Sequence, residues 1–290
     1  MAEIERYVQS RTLEQATTAL AVGPATLFAG GTDVLPQTRA GTRAFQATLV
    51  NINRLDELRG IAESGGKIRI GALATITDML ESDVLKQSAG VVVQAADCFA
   101  SGQVRNAATI GGNICNASPA ADMIVPLLLL NAELEFASWR DGQIVRRKMP
   151  LCDFFVGPGK TRIEADEILT AVMFPVPKPQ AVGRFCKFGT RPALDIAVVS
   201  IGIAGVRENG CLKDARVAFG AVAPTPIRGR ETEAALEGAP LDDRRIEEIA
   251  HVAEQEVTPI SDVRASAWYR KRLIFELVQR LLHDVNRTGN

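Results

Sequence analysis

The run Val104-Arg105-Asn106-Ala107-Ala108-Thr109-Ile110-Gly111-Gly112-Asn113-Ile114 sets two adjacent glycines between short polar side chains. Adjacent glycines let neighbouring backbone N–H groups converge with no Cβ in the way, and such a nest binds the oxygens of a phosphate or diphosphate. Thr109 and Asn113 can donate to the same anion, and a helix close behind adds a favourable dipole. The pattern predicts a glycine-rich loop over Ile110 to Asn113, ahead of a helix from Ala121 to Leu130. A second diglycine stands upstream, in Phe28-Ala29-Gly30-Gly31-Thr32-Asp33-Val34-Leu35-Pro36, directly after a short apolar strand from Thr26 to Ala29. One diglycine alone reads as a tight turn. Two of them, each beside a hydroxyl and each at an element boundary, leave two readings open: a pair of turns, or a clamp on one diphosphate from two sides.

Around these segments the chain divides into three regions. In residues 1–55 a helix runs from Thr12 to Val22, with Thr12 at the N-cap and Gln15 completing a capping box, and Gly23-Pro24 stops it. The glycine turn, a helix-like stretch and a strand at Thr48 to Ile52 follow, which suggests a small parallel β unit. Residues 56–177 read as an α/β unit. It has a strand at Lys67 to Ile70, helices at Thr77 to Leu85 and Val91 to Phe99, and a hairpin of Glu133 to Ser138 with Gln143 to Lys148 through Arg140-Asp141-Gly142. Pro175-Val176-Pro177-Lys178-Pro179 cannot continue a central strand and marks a boundary. In residues 178–290 two long strands, Ala197 to Arg207 and Leu212 to Ala221, join through Asn209-Gly210, and helices end the chain. The last helix repeats Leu273, Ile274, Leu277, Val278, Leu281, Leu282 and Val285 on one face, the spacing of a buried stripe.

Composition removes several function classes. The chain has 290 residues, 47% of them hydrophobic and 23% charged, with a net charge of −1. That balance gives no bulk attraction for nucleic acid. The longest apolar run, Ile124 to Leu130, falls far short of the roughly 20 residues that span a bilayer. The N-terminal MAEIERYVQSR has no apolar signal region, which points to the cytoplasm. Five cysteines with no CxxC pair argue against a disulfide framework, and against an iron–sulfur cluster held by this chain alone. GxGxxG is absent. Gly159-Lys160-Thr161 looks like the tail of a P-loop, but Phe154 occupies the position that demands glycine, and Pro158 removes a backbone donor. With only His251 and His283, no histidine metal site or Ser-His-Asp triad is supported, and no catalytic side chain is nominated.

The two glycine segments, in this order, resemble the paired FAD motifs of the flavoprotein subunits of molybdenum hydroxylases, the xanthine dehydrogenase and carbon monoxide dehydrogenase type. The resemblance continues through Asn116-Ala117-Ser118-Pro119-Ala120-Ala121-Asp122, Glu167-Ile168-Leu169, Lys187 through Arg191 to Asp195-Ile196-Ala197, and Ala267-Trp268-Tyr269-Arg270-Lys271. It covers nearly the whole chain. The segment Thr32-Asp33 departs from the His-Ser of carbon monoxide dehydrogenase flavoproteins and is more similar to xanthine dehydrogenase and aryl-CoA reductase flavoproteins. The four-cysteine insertion that some of the latter carry is missing.

What the resemblance implies is an α+β protein: a two-subdomain FAD-binding fold of the vanillyl-alcohol-oxidase/PCMH type, plus a C-terminal α+β domain of antiparallel sheet and helices. It implies that Ala29, Gly30, Gly31, Thr32, Asp33 and Val34, with Thr109, Ile110, Gly111, Gly112 and Asn113, hold the FAD diphosphate. It places Asp122 on cofactor hydroxyls, and Phe99, Leu169 and Lys187 along the flavin. Each also has a plainer reading: Asp122 as a helix cap, Phe99 and Leu169 as core, Lys187 as a solvated strand lysine. A lysine near the flavin would stabilise its reduced, anionic form. The implied partners are a large molybdopterin-binding subunit and a small [2Fe-2S] subunit, with NAD+ or another acceptor taking the electrons. Two alternatives are a free-standing FAD-dependent oxidoreductase on the same fold and a scaffold that has lost FAD. The intact glycine segments count against the scaffold.

Overall fold

The computed structural model describes residues 4–191 and 194–287, and there the chain is an α+β protein carried by three larger sheets, with a two-stranded ribbon of Phe155–Gly157 and Lys160–Thr161 beside them. The first has Thr48–Asn51 between Arg6–Gln9 and Ala25–Phe28, with both pairings parallel. Parallel neighbours need a crossover, and the helix Leu13–Ala21 supplies it. Thr12 Oγ1 caps that helix by accepting from Gln15 N at 3.2 Å, while the Gln15 side chain reaches back to Arg11 N at 2.9 Å, one residue before the capping-box partner. Its buried face, Leu13, Ala16 and Leu20, packs with Val50, Leu55 and Leu73. Parallel strands put their carboxyl ends on one edge, where ligands of such sheets bind, and the first diglycine opens there.

The second sheet is antiparallel throughout, in the order Ile61–Ser64, Lys67–Gly71, Ile168–Pro175, Glu133–Arg140, Gln143–Pro150. Its hairpin turns at Asp141 and Gly142, with φ of 51° and 78°, the left-handed pair that matches strand twist. The central strand Ile168–Pro175 has no alternating pattern because it is buried on both faces up to Phe174. The expected helix over Thr77 to Leu85 is two helices, Ile76–Glu81 and Asp83–Ser88. Ser82 leaves the helical region and caps the second by accepting from Leu85 N at 3.3 Å.

The third sheet, Ala181–Phe188, Val199–Glu208, Cys211–Gly220 and Ile227–Arg228, is also antiparallel, with its long hairpin turning at Asn209 and Gly210 (φ 50° and 78°). One face packs on the helices Asp243–Glu256 and Ala267–Arg287 through Ile201, Ile203, Val217 and Phe219. On the other, Gly202 lies so close to Leu129 of the helix Ile124–Leu129 that a Cβ would stand 2.6 Å from its Cδ1. The last helix buries Ile274, Leu277, Val278, Leu281, Leu282 and Val285, and Leu273 is half-buried. Arg270, itself buried, pins this helix to the sheet through Val198 O (2.7 Å), Ala221 O (2.9 Å) and Asp262 (2.7 Å). Among the described residues no helix is long and apolar enough to cross a membrane.

Candidate cofactor site

Beyond Phe28 the chain turns at once. Gly31 has φ +73°, a conformation that L side chains resist, and a Cβ there would lie 2.7 Å from the Phe28 ring. At Gly30 a Cβ would lie 1.9 Å from the carbonyl oxygen of Ala107, so this position touches the second glycine motif backbone to backbone. The amides of Gly30, Gly31, Thr32, Asp33 and Val34 donate to no other described residue. A short helix, Val34–Arg39, begins immediately behind them.

Ile110 to Asn113, expected as a loop, is instead the first turn of a helix, Ile110–Asn116. Thr109 caps it, its hydroxyl accepting from Gly112 N at 3.1 Å. The preceding segment is threaded along residues 72–76: Ile76 N donates to Ala108 O and Ile110 N to Ala74 O, both at 3.0 Å, and Gly111 N to Ala72 O at 2.9 Å. A Cβ on Gly111 would meet Ala72 O at 2.7 Å. The amides of this diglycine are therefore used inside the protein. The free donors belong to the first motif, and the second contributes close approach and side chains. Gln37 Nε2 donates to Asn116 Oδ1 at 2.9 Å and ties the two motif helices together.

Between the motifs lies a cleft of about 320 Å³, within the size range of small-molecule sites. Ala29 to Val34, Thr109, Gly111, Gly112, Asn113, Phe99 and Leu169 line it. Ile110 does not, because its side chain is core. Asp122 and Lys187 do not line it either. They pair with each other at 2.7 Å with both side chains nearly buried, and Lys187 Nζ also donates to Cys98 O at 3.2 Å. The pair is thus tied to the backbone one residue before Phe99. Asp122 is no helix cap, since the next helix starts at Ile124 with Met123 before it. Burial pushes its carboxyl up to about 6, against the charge and hydrogen bond of Lys187. Asn113 Oδ1 and Asp122 Oδ1 are buried acceptors with no partner among the described residues.

Sequence reasoning missed one wall, formed by Ile163, Glu164, Ala165 and Glu167. Arg147 holds it from outside with two bonds to Glu167, at 2.5 and 2.6 Å, and Glu167 in turn accepts from Glu164 N at 2.8 Å. Arg140 reaches Glu164 at 2.8 Å. Also missed was Arg43, at the cleft mouth. Apart from Glu167, which stands in the Glu167-Ile168-Leu169 segment of the resemblance with no role implied for it, no motif marks these residues. The one available signal was the row of basic residues, Arg146-Arg147-Lys148, on a strand that alternates. The free amides suit an anionic diphosphate, the orphaned Asn113 acceptor suits a hydroxyl, and the apolar walls at Leu27, Leu73, Phe99 and Leu169 suit flat rings. FAD has all three.

Comparison with known proteins agrees. Residues 2–177 match the family described as the FAD binding domain in molybdopterin dehydrogenase, and residues 184–285 match the carbon monoxide dehydrogenase flavoprotein C-terminal domain. The chain belongs to this family of FAD-binding subunits of the molybdenum hydroxylases. It is 37% identical over 287 residues to a putative xanthine dehydrogenase FAD-binding subunit of Escherichia coli (strain K12), covering 98% of this chain and 97% of the relative. Among solved structures it is similar to carbon monoxide dehydrogenase from Hydrogenophaga pseudoflava (TM-score 0.89, 28% identity, 95% and 94% of the two chains). It is also similar to quinoline 2-oxidoreductase from Pseudomonas putida 86 (TM-score 0.90, 25% identity, 98% and 97%).

Proposed function

We propose that the chain is the electron-transfer subunit of a multi-subunit molybdenum hydroxylase. Electrons would arrive from the [2Fe-2S] clusters of a small partner subunit, after substrate oxidation at a large molybdopterin-binding subunit. They would leave to NAD+ or another acceptor. Bound FAD would supply the chemistry, taking electrons singly and releasing them as a pair. This chain's residues bind and orient. The amides of Gly30 to Val34 hold the diphosphate, assisted by Thr109 and Asn113. Phe99 and Leu169 wall the flavin from water. Lys187 sets a positive charge against the backbone at Cys98, next to Phe99 in the chain, with Asp122 fixing its position. In this reading residues 1–55 and 56–177 are the two halves of the cofactor fold, residues 178–290 form the third unit, and the setting is cytoplasmic.

One observation carries the proposal. The contact between Gly30 and Ala107 brings a row of unused amides and a second glycine motif to the same cleft. The test is the visible spectrum of the purified chain, with mass spectrometry of any cofactor released by heat. About one FAD per chain, lost in Gly111→Val, is the expected result, together with co-purification of molybdenum- and cluster-bearing subunits. A chain that stays colourless and refuses added FAD would overturn the proposal. A yellow chain with no such partners would favour a free-standing flavin oxidoreductase.

A further inference from the structure

An anion taken out of water needs a counter-charge as well as hydrogen bonds. The cradle amides of Gly30 to Val34 offer dipoles but no net charge. The acidic side chains on the cleft make matters worse: Asp33, Glu164 and Glu167 all face it, and only the two glutamates are neutralised from behind, by Arg140 and Arg147. Arg43 is the one basic side chain among the described residues that line the cleft. It sits in the turn between the helix Val34–Arg39 and the strand Thr48–Asn51, where its backbone N–H donates to Gln37 O at 3.4 Å. Its guanidinium makes no hydrogen bond or ion pair with any described residue. Its charge is felt on both sides of the cleft, drawing down the Asp33 carboxyl and the Cys115 thiol, each of which burial pushes up.

Resting on the FAD reading above, we propose that Arg43 is the charge partner of the cofactor's diphosphate, adding a positive charge to the cradle of amides. A guanidinium suits this work: it stays charged, and its planar fork can bond two phosphate oxygens at once. The exposed position lets the side chain turn to the anion without breaking a hydrogen bond or ion pair.

The test is equilibrium binding of FAD, ADP and riboflavin to the full chain and to Arg43→Gln and Arg43→Lys, at low and high salt, with the thermal midpoint of each apo protein as a folding control. We expect Arg43→Gln to weaken FAD and ADP by roughly 10- to 100-fold, the range for a lost charge-assisted hydrogen bond. It should also flatten their salt dependence and leave riboflavin, which carries no phosphate, unchanged. Arg43→Lys should recover most of the loss. Equal FAD and ADP affinity in Arg43→Gln, or a loss shared by riboflavin, would overturn the role of Arg43 while FAD binding stands. A wild-type chain that binds no FAD would overturn both.

Discussion

Gly30 and Ala107 lie in backbone contact, so close that a single methyl on Gly30 would stand 1.9 Å from the Ala107 carbonyl oxygen. Neither partner is the end of a flexible side chain, so relief requires the two motifs to separate. Gly30→Ala should cost about 1–3 kcal/mol, the usual penalty of overpacking. It should also open the cleft and lower FAD retention at least tenfold. Urea unfolding and FAD titration check the two effects. A variant that keeps wild-type FAD affinity would show that the approach of the loops is not what forms the site.

Asp122 gives a pH prediction. Its carboxyl titrates at about 6 in the folded chain, against about 3.9 when unfolded. The folded state therefore holds the proton more tightly, and this contribution to stability is complete below pH ~4 and lost as pH rises toward 6. Lys187 opposes that loss by stabilising the ionised form. In Lys187→Met the carboxyl pKa rises further, so the loss extends above pH 6. The stability gap between wild type and variant should widen from pH 5 to pH 8 in a urea-unfolding series, by about 1.4 kcal/mol for each unit of added shift. A gap that stays constant would contradict the coupling.

Arg147 and Glu167 form an unequal pair, since the glutamate is only 4% exposed and the arginine 31%. Removing the arginine strands a buried carboxylate. Arg147→Met should destabilise by about 3 kcal/mol and loosen the Ile163 to Leu169 wall. Arg147→Met with Glu167→Gln should recover part of the loss, because the uncompensated charge is gone. Additive effects in that double-mutant cycle would argue against the pair.

Arg270 is buried and serves two backbone carbonyls and one carboxylate. Arg270→Met should cost about 3 kcal/mol or more, as Val198 O and Ala221 O lose their donor. Arg270→Lys should rescue little, because a single ammonium replaces a fork that spans separate acceptors. Thermal unfolding of both variants decides this. Full rescue by lysine would show that charge alone, and not the fork, holds the last helix.

Local patterns reveal themselves well where one segment carries its own signal. The hairpin at Asp141-Gly142, the long hairpin at Asn209-Gly210, the Thr12 cap and the stripe of the last helix all follow from turn chemistry or periodicity. Signals failed where neighbours decide. Ile168–Pro175 is covered on both faces, so its apolar run has no period. Ser82 splits one expected helix because its side chain competes for the next helix's first turn. Gly111 and Gly112 read as an open nest, but Ala72 and Thr109 take their amides, and those acceptors are remote or conformation-dependent.

The sequence by itself determined the family, the α+β class and the FAD-binding identity, because two specific glycine motifs in order need no coordinates to be read. The tertiary structure alone decided which motif offers free donors, that Asp122 and Lys187 meet each other, that Arg43 lines the cleft, and that Arg140 and Arg147 hold the glutamates of its wall. Those are relations between segments tens of residues apart. Their energies come from burial, charge and contact, and such terms exist only once the chain has closed on itself.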